Sequence, residues 1–186
     1  MNTIIALVGL TGSGKSVATE YFEKKHFSKI WFGQLTIDTL KERSLEKNEK
    51  NEKMIREELR KQHGMAAFAL LNIPRIQAAA KTNNVAIDGL YSWSEYKVLK
   101  EKFGKQLVVL CIYASPRTRY KRLAARSVRP LTTQEAQSRD YAEIENIEKG
   151  GPIAMADYTV VNEGSVADLK QQLDRVYQKV FGHGKN

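Results

Sequence analysis

The sequence is poor in sulfur: its 186 residues hold a single cysteine, Cys111. An internal disulfide is thereby excluded, and the apolar run Leu107-Val108-Val109-Leu110-Cys111-Ile112 reads as core packing rather than reactive-thiol chemistry. Three histidines, His26, His63 and His183, are scattered without metal-ligand spacing and read as structural or solvated. No apolar run approaches the roughly 18 residues of a membrane span. The N-terminal apolar run lacks a basic flank and meets a glycine-rich loop where a leader's cleavage site would have to fall, so a cytoplasmic protein without membrane contact is expected. No repeat or low-complexity tract interrupts the chain.

A chain of this length with 42% hydrophobic residues can bury one core and is too short for two ordinary domains. Acidic residues are fewer than basic ones, and the formal charge of +9 suits nucleic acid or a cleft for polyanionic small molecules. Arg117, Arg119, Lys121, Arg122, Arg126 and Arg129 crowd one short region. The stretch from Lys41 to Lys61 instead mixes both signs and reads as a solvated helical face with i,i+4 pairs rather than a binding patch.

Gly9-Leu10-Thr11-Gly12-Ser13-Gly14-Lys15-Ser16 fits G-x-x-x-x-G-K-[ST] directly after the run Ile4-Ile5-Ala6-Leu7-Val8, the setting of a P-loop between strand and helix. Its glycines let backbone N–H groups turn inward onto a triphosphate, and the N-terminus of the next helix adds its dipole. Lys15 would reach the β- and γ-phosphates, and Ser16 would place its hydroxyl on a Mg²⁺ bridging the same oxygens. Val17 opens the body of the helix behind the loop.

Short apolar runs at Thr3–Val8, Ser28–Phe32, Val85–Ile87, Gln106–Tyr113 and Tyr158–Val161 predict five strands. Between them the spacing predicts helices at Gly14–Lys25, Leu35–Asn48, Glu52–His63, Met65–Lys81, Ser92–Phe103, Pro116–Arg126, Thr133–Glu148 and Val166–Phe181. Pro116 suits a first helical turn, and Pro74 predicts a kink or break in its helix. This alternation is that of an α/β fold with a parallel sheet and helices on both faces. The stretch between the second and third strands and Ser127 to Gly151 stand outside the alternation.

Asp88 follows Val85-Ala86-Ile87 and precedes Gly89, which puts a carboxylate at the carboxyl end of a strand. It suits orientation of Mg²⁺ through water or acceptance of a proton from an attacking hydroxyl, and equally a simple Asp-Gly turn. Arg119, Arg122 and Arg126 recur at i, i+3 and i+7, on one helical face where guanidinium forks could hold transferring phosphoryl oxygens. Arg129-Pro130-Leu131 then leaves the helix as a lid, with Arg139 able to close from the other side; a solvated basic face is the alternative. Trp31, Phe32, Tyr91, Trp93 and Tyr96 follow strands at ligand-facing ends, to stack on a base or acceptor or simply to pack.

Taken together, the P-loop, Val85-Ala86-Ile87-Asp88-Gly89, the segment Ala114 to Leu123 and the segment Ala156 to Ser165 resemble the P-loop kinases of the adenylate kinase and dephospho-coenzyme A kinase group. The likeness is strongest to an archaeal-type, adenylate-kinase-related branch and covers nearly the whole chain. It implies a single P-loop kinase domain over 1–186, a doubly wound five-stranded parallel sheet, an acceptor-binding insertion over 33–82 and an arginine-bearing lid over 127–139. The implied activity is transfer of the γ-phosphoryl of ATP, with Mg²⁺, to a nucleoside monophosphate or dephospho-coenzyme A type of acceptor. By the same likeness the nucleotide is held by Gly9, Thr11, Gly12, Ser13, Gly14, Lys15, Ser16 and Val17. Arg122 and Arg126 match the paired arginines at the start of the lid, Arg139 the arginine beyond it, and Asn162 with Gly164 the loop that passes the adenine. Lys15, Asp88, Arg122, Arg126 and Arg139 would then be the catalytic set, with Ser16 and, through water, Asp88 on the metal.

The chain departs from such relatives after the second strand, where Gly-Asp and a phosphate-gripping arginine give way to Gly33-Gln34-Leu35-Thr36-Ile37. Tyr91 stands two residues beyond Asp88-Gly89, where an arginine is frequent in the branch. These changes spare the donor side and bear on the acceptor side, where Asp38 and Arg43 are nearby. A nucleotide hydrolase or switch, and a nucleotide-dependent regulatory or nucleic-acid-binding protein with a degraded acceptor site, are the alternatives.

Overall fold

The computed structural model describes residues 2–182. Five strands, β1 (Ile4–Val8), β2 (Ser28–Trp31), β3 (Val85–Asp88), β4 (Leu107–Tyr113) and β5 (Tyr158–Val161), form one sheet in the order β2-β3-β1-β4-β5. Every pair is parallel, and the registers align Leu7 with Asp88 on one side of β1 and with Leu110 on the other. Parallel neighbours need crossovers, which here are helices: α1 (Lys15–Lys24), α2 (Gln34–Glu42), α3 (Glu49–His63), α4 (Ala67–Ala80), α5 (Trp93–Phe103), α6 (Pro116–Ala124), α7 (Thr133–Glu145), α8 (Gly150–Ala154) and α9 (Val166–Phe181).

All five residues of β1 are buried, as the central strand of a doubly covered sheet requires. Side-chain alternation divides its neighbours. Ile4, Ala6 and Val8 join Ile87, Val109 and Cys111 under Phe68, Ile76 and Leu99 of α4 and α5. Ile5 and Leu7 join Ala86, Leu110 and Ile112 under Phe22, Leu169 and Leu173 of α1 and α9. Cys111 is a buried packing residue whose thiol is pushed up to about 11 by burial.

Helix ends follow local chemistry. Ser92, Thr132 and Ser165 each cap a helix while a Glu or Asp three residues on returns the bond, so α5, α7 and α9 start where the sequence reading puts them. Four details of that reading are corrected. The helix expected over Leu35–Asn48 ends at Glu42, because Ser44 turns left-handed with φ +55° and Asn48 caps α3 instead. Gly64, at φ +77°, delays α4 to Ala67. That helix runs unbroken through Pro74, whose missing donor concerns Leu70, a residue on the exposed face where water can serve its carbonyl. The one-turn helix α8 lies where a loop was expected, beside a short 3-10 turn at Gly104–Gln106. His183 lies outside the described residues.

Candidate active site

The loop after β1 turns on three glycines with positive φ: Gly9 at +139°, Gly12 at +85° and Gly14 at +105°. At Gly14 a side chain would also strike Asn162 Nδ2, and at Gly9 it would strike the Ile112 carbonyl, so the loop is pressed against β4 and the loop after β5. Asn162, itself buried, donates from Nδ2 to the Ser13 carbonyl at 2.8 Å. Arg122 holds that strut: it donates to the Asn162 and Gly164 carbonyls at 3.0 and 3.1 Å. Asn162 and Gly164 are thus joined to the P-loop and to Arg122 in one network, which spacing alone did not reveal.

Arg119 belongs to the frame. Its guanidinium is buried, pairs with Asp140 of α7 through two bonds of 2.8 and 2.6 Å, and donates to the Thr11 carbonyl at 3.1 Å. The expected single arginine face therefore splits. Arg119 is locked behind the loop and Arg122 beside it, while Arg126 lies beyond the end of α6 and lines a cleft.

That cleft, about 790 Å³, starts at Thr11 and Lys15 and extends to α2, α3 and α4. Arg126, Arg129, Leu131, Arg139, Glu143 and Lys149 also line it. Lys15 Nζ donates to the Gly9 and Leu10 carbonyls at 2.8 and 3.1 Å. Burial, reinforced by the neighbouring Lys149, brings its ammonium down to about 7. Ser16 is exposed at the first turn of α1, so its hydroxyl is available as a magnesium ligand. Asp88 sits half-buried at the end of β3, just behind Gly89 of the wall, and burial raises its carboxyl above the usual range. Among the described residues no three His, Cys, Asp or Glu side chains gather as a metal site. The Ser16 hydroxyl and the Asp88 carboxylate are oxygen donors of the kind that suits a hard cation such as Mg²⁺.

Two residues at the loop's mouth were not singled out by sequence reasoning. Glu143 accepts from the Thr11 hydroxyl at 2.8 Å and from Arg139 at 3.2 Å, and Lys149 donates to it at 2.7 Å. Burial alone would raise the Glu143 carboxyl, but Lys149, the Thr11 hydroxyl and Arg139 together hold it at about 2. Lys149, almost fully buried, also stands 4.5 Å from the centre of the Tyr91 ring. Thus Tyr91 packs in the cleft wall as a support for a cation. The sequence signal was weak, because neither residue shares a motif with the P-loop it touches.

The cleft also corrects the reading of Lys41 to Lys61 as only a solvated face: Glu49, Glu52, Arg56 and Arg60 of α3 line it, together with Trp31, Thr36 and Ile37. The two charged residues placed near Gln34 are spoken for elsewhere. Asp38 accepts from Gln34 and Arg75 at 2.8 and 2.7 Å, and Arg43 forms a bidentate pair with Glu58. Of the other aromatic candidates, Phe32 is core and also reaches the wall, whereas Trp93 and Tyr96 stack on each other 5.0 Å apart. No described helix is long and apolar enough to cross a membrane.

The sequence pattern of the AAA domain matches residues 5–148. A UPF0200 protein of Thermococcus kodakarensis is 32% identical over 95% of this chain and 100% of its own length. One from Hyperthermus butylicus is also 32% identical, over 97% of this chain and 96% of its own. Among solved structures, shikimate kinase from Bacteroides thetaiotaomicron superposes with a TM-score of 0.61 at 15% identity, covering 97% of this chain and 98% of that one. Dephospho-CoA kinase from Campylobacter jejuni does so with 0.55 at 19% identity, covering 96% and 97%. At such identities the likeness concerns the P-loop α/β fold with its 2-3-1-4-5 sheet.

Proposed function

The chain belongs to the UPF0200 family of AAA-domain P-loop proteins, and on that premise we propose that it is a small-molecule kinase moving the γ-phosphoryl of ATP to a nucleotide-like acceptor. The observation that carries this reading is the extent of the cleft: its lining includes Thr11 and Lys15, residues of α2 and α3, and Arg126, Arg129 and Arg139. A hydrolase needs space for one water beyond the γ-phosphate. A kinase needs a second compartment, and about 790 Å³ lies within the range of small-ligand clefts.

In this reading residues 33–82 form the acceptor side and 127–139 the lid. The P-loop amides and Lys15 hold the β- and γ-phosphates, and Arg122 with Asn162 and Gly164 shapes the purine side. Mg²⁺ bound at Ser16 would neutralise phosphate charge. An acceptor oxygen attacks the γ-phosphorus, the bond to the β-bridging oxygen breaks, ADP leaves, and the acceptor proton passes to Asp88 or to water. Arg126 and Arg139 face the charge that spreads over the transferring oxygens, the stage at which guanidinium groups act most strongly. A lid that excludes water before transfer prevents wasteful hydrolysis.

The test is ADP production from ATP and Mg²⁺ with nucleoside monophosphates, nucleosides, dephospho-coenzyme A, shikimate and gluconate, each against a no-acceptor control. The expected outcome is a rate at least tenfold above the control for one acceptor class. Equal rates with and without every acceptor would point to a hydrolase.

A further inference from the structure

Resting on the kinase reading, we propose that the acceptor is an anion and that its carboxylate or phosphate is bound by Arg60 of α3 together with Thr36 of α2, in the part of the cleft lined by those helices. Five arginines line this cleft: Arg56, Arg60, Arg126, Arg129 and Arg139. Three of them are already engaged, Arg139 with Glu143 at 3.2 Å. Arg56 donates to Glu49 at 2.7 Å and to Glu52 at 3.5 Å, and Arg129 stands 3.6 Å from Glu49. Arg126 is exposed on the cleft wall. Arg60 differs from the other four. It is partly buried against the Phe68 ring, 5.4 Å from its centre, it forms no ion pair among the described residues, and its buried Nε has no hydrogen-bond partner.

A guanidinium in that state is costly unless something with negative charge meets it. Among the described residues Glu95 is the carboxylate that most favours the charge of Arg60, yet the two form no ion pair; Glu95 spends Oε2 on the Tyr91 and Ser92 amides, and its Oε1 is buried without a partner. It steadies the positive charge of Arg60 without occupying its donors. Thr36, which lines the same cleft, is 97% buried, and its hydroxyl also lacks a partner. Two orphaned polar groups from different helices, one donor-only and one able to donate, thus line the same compartment. An oxyanion satisfies both, and its fit to the planar fork explains why Ile37 needs no arginine of its own.

The site is probed with inorganic phosphate and, separately, acetate, titrated calorimetrically into protein saturated with Mg²⁺ and a non-hydrolysable ATP analogue so that the P-loop is filled. Saturable binding of at least one anion is expected, weakened tenfold or more by Arg60→Gln, less by Arg60→Lys, and severalfold by Thr36→Val. Arg43→Gln, which removes an equal charge from the Glu58 pair outside the cleft, should leave it unchanged. Phosphate binding alone points to a phosphorylated acceptor, and acetate binding to a carboxylate. Circular dichroism melts establish that each variant is folded, and Arg60→Lys keeps the test decisive if Arg60→Gln is not. Absence of anion binding in the loaded wild type, or equal affinity in folded Arg60 variants, overturns the inference. Failure of the wild type to bind the ATP analogue would instead overturn the kinase reading on which it rests.

Discussion

Lys15 shows how a single residue is prepared for its ligand. In the free protein its ammonium is brought from its ordinary 10.5 to about 7, first by burial and then by Lys149. A polyphosphate reverses both effects, because negative charge favours the protonated form. Nucleotide binding at pH 8 should therefore take up close to one proton, and affinity should fall up to about tenfold per pH unit from 7 to 9. For the unliganded fold the sign is opposite. The unfolded chain holds more protons between pH 7 and 10.5, so this group's contribution to stability rises across that window. Calorimetry of ATP binding in two buffers of different ionisation enthalpy measures the uptake. No uptake in the wild type, or the same uptake in Lys15→Met, would show that Lys15 does not meet the phosphates.

At the scale of elements, α6 and α7 are tied to the P-loop through one buried pair, Arg119 with Asp140, and through Arg119 to the Thr11 carbonyl. Removing the carboxylate leaves an uncompensated buried guanidinium. Asp140→Ala should therefore cost about 3–5 kcal/mol in urea unfolding. It should also weaken ATP binding, since Thr11 loses its fixed backing. A loss below about 1 kcal/mol would mean that solvent reaches Arg119 and the tie is slack. The elements themselves were largely legible, because β-branched runs and Ser/Thr caps act locally: all five strands lie within a residue or two of their expected limits. The P-loop was legible for the same reason. What escaped was set by tertiary contact. Arg119 and Arg122 share a helical face in sequence, yet only Asp140, 21 residues away, and Asn162, 40 residues away, decide that one is buried and the other braces the loop after β5. Arg56 and Arg60 sit among alternating charges, and nothing local tells that α3 turns that stretch toward the cleft. Glu143 and Lys149 belong to no motif and meet Thr11 only when the chain folds.

The whole molecule lines one cleft with a single charge pattern: Thr11 and Lys15 of the P-loop, Arg126, Arg129 and Arg139, and the Arg60 guanidinium, which forms no ion pair among the described residues. The net charge of +9 fits that use, as a field that draws polyanions toward the sheet's carboxyl edge. The central claim is that the γ-phosphoryl moves to a second small molecule rather than to water. It is tested most directly by running the reaction in water enriched in oxygen-18, with the acceptor that gives the highest ADP rate, and following the γ-phosphorus by phosphorus NMR. The account predicts a new phosphoryl signal on the acceptor, equal in amount to the ADP formed and free of the heavy isotope. Release of the γ-phosphorus as inorganic phosphate carrying one solvent oxygen, at the same rate with and without acceptor, would contradict it.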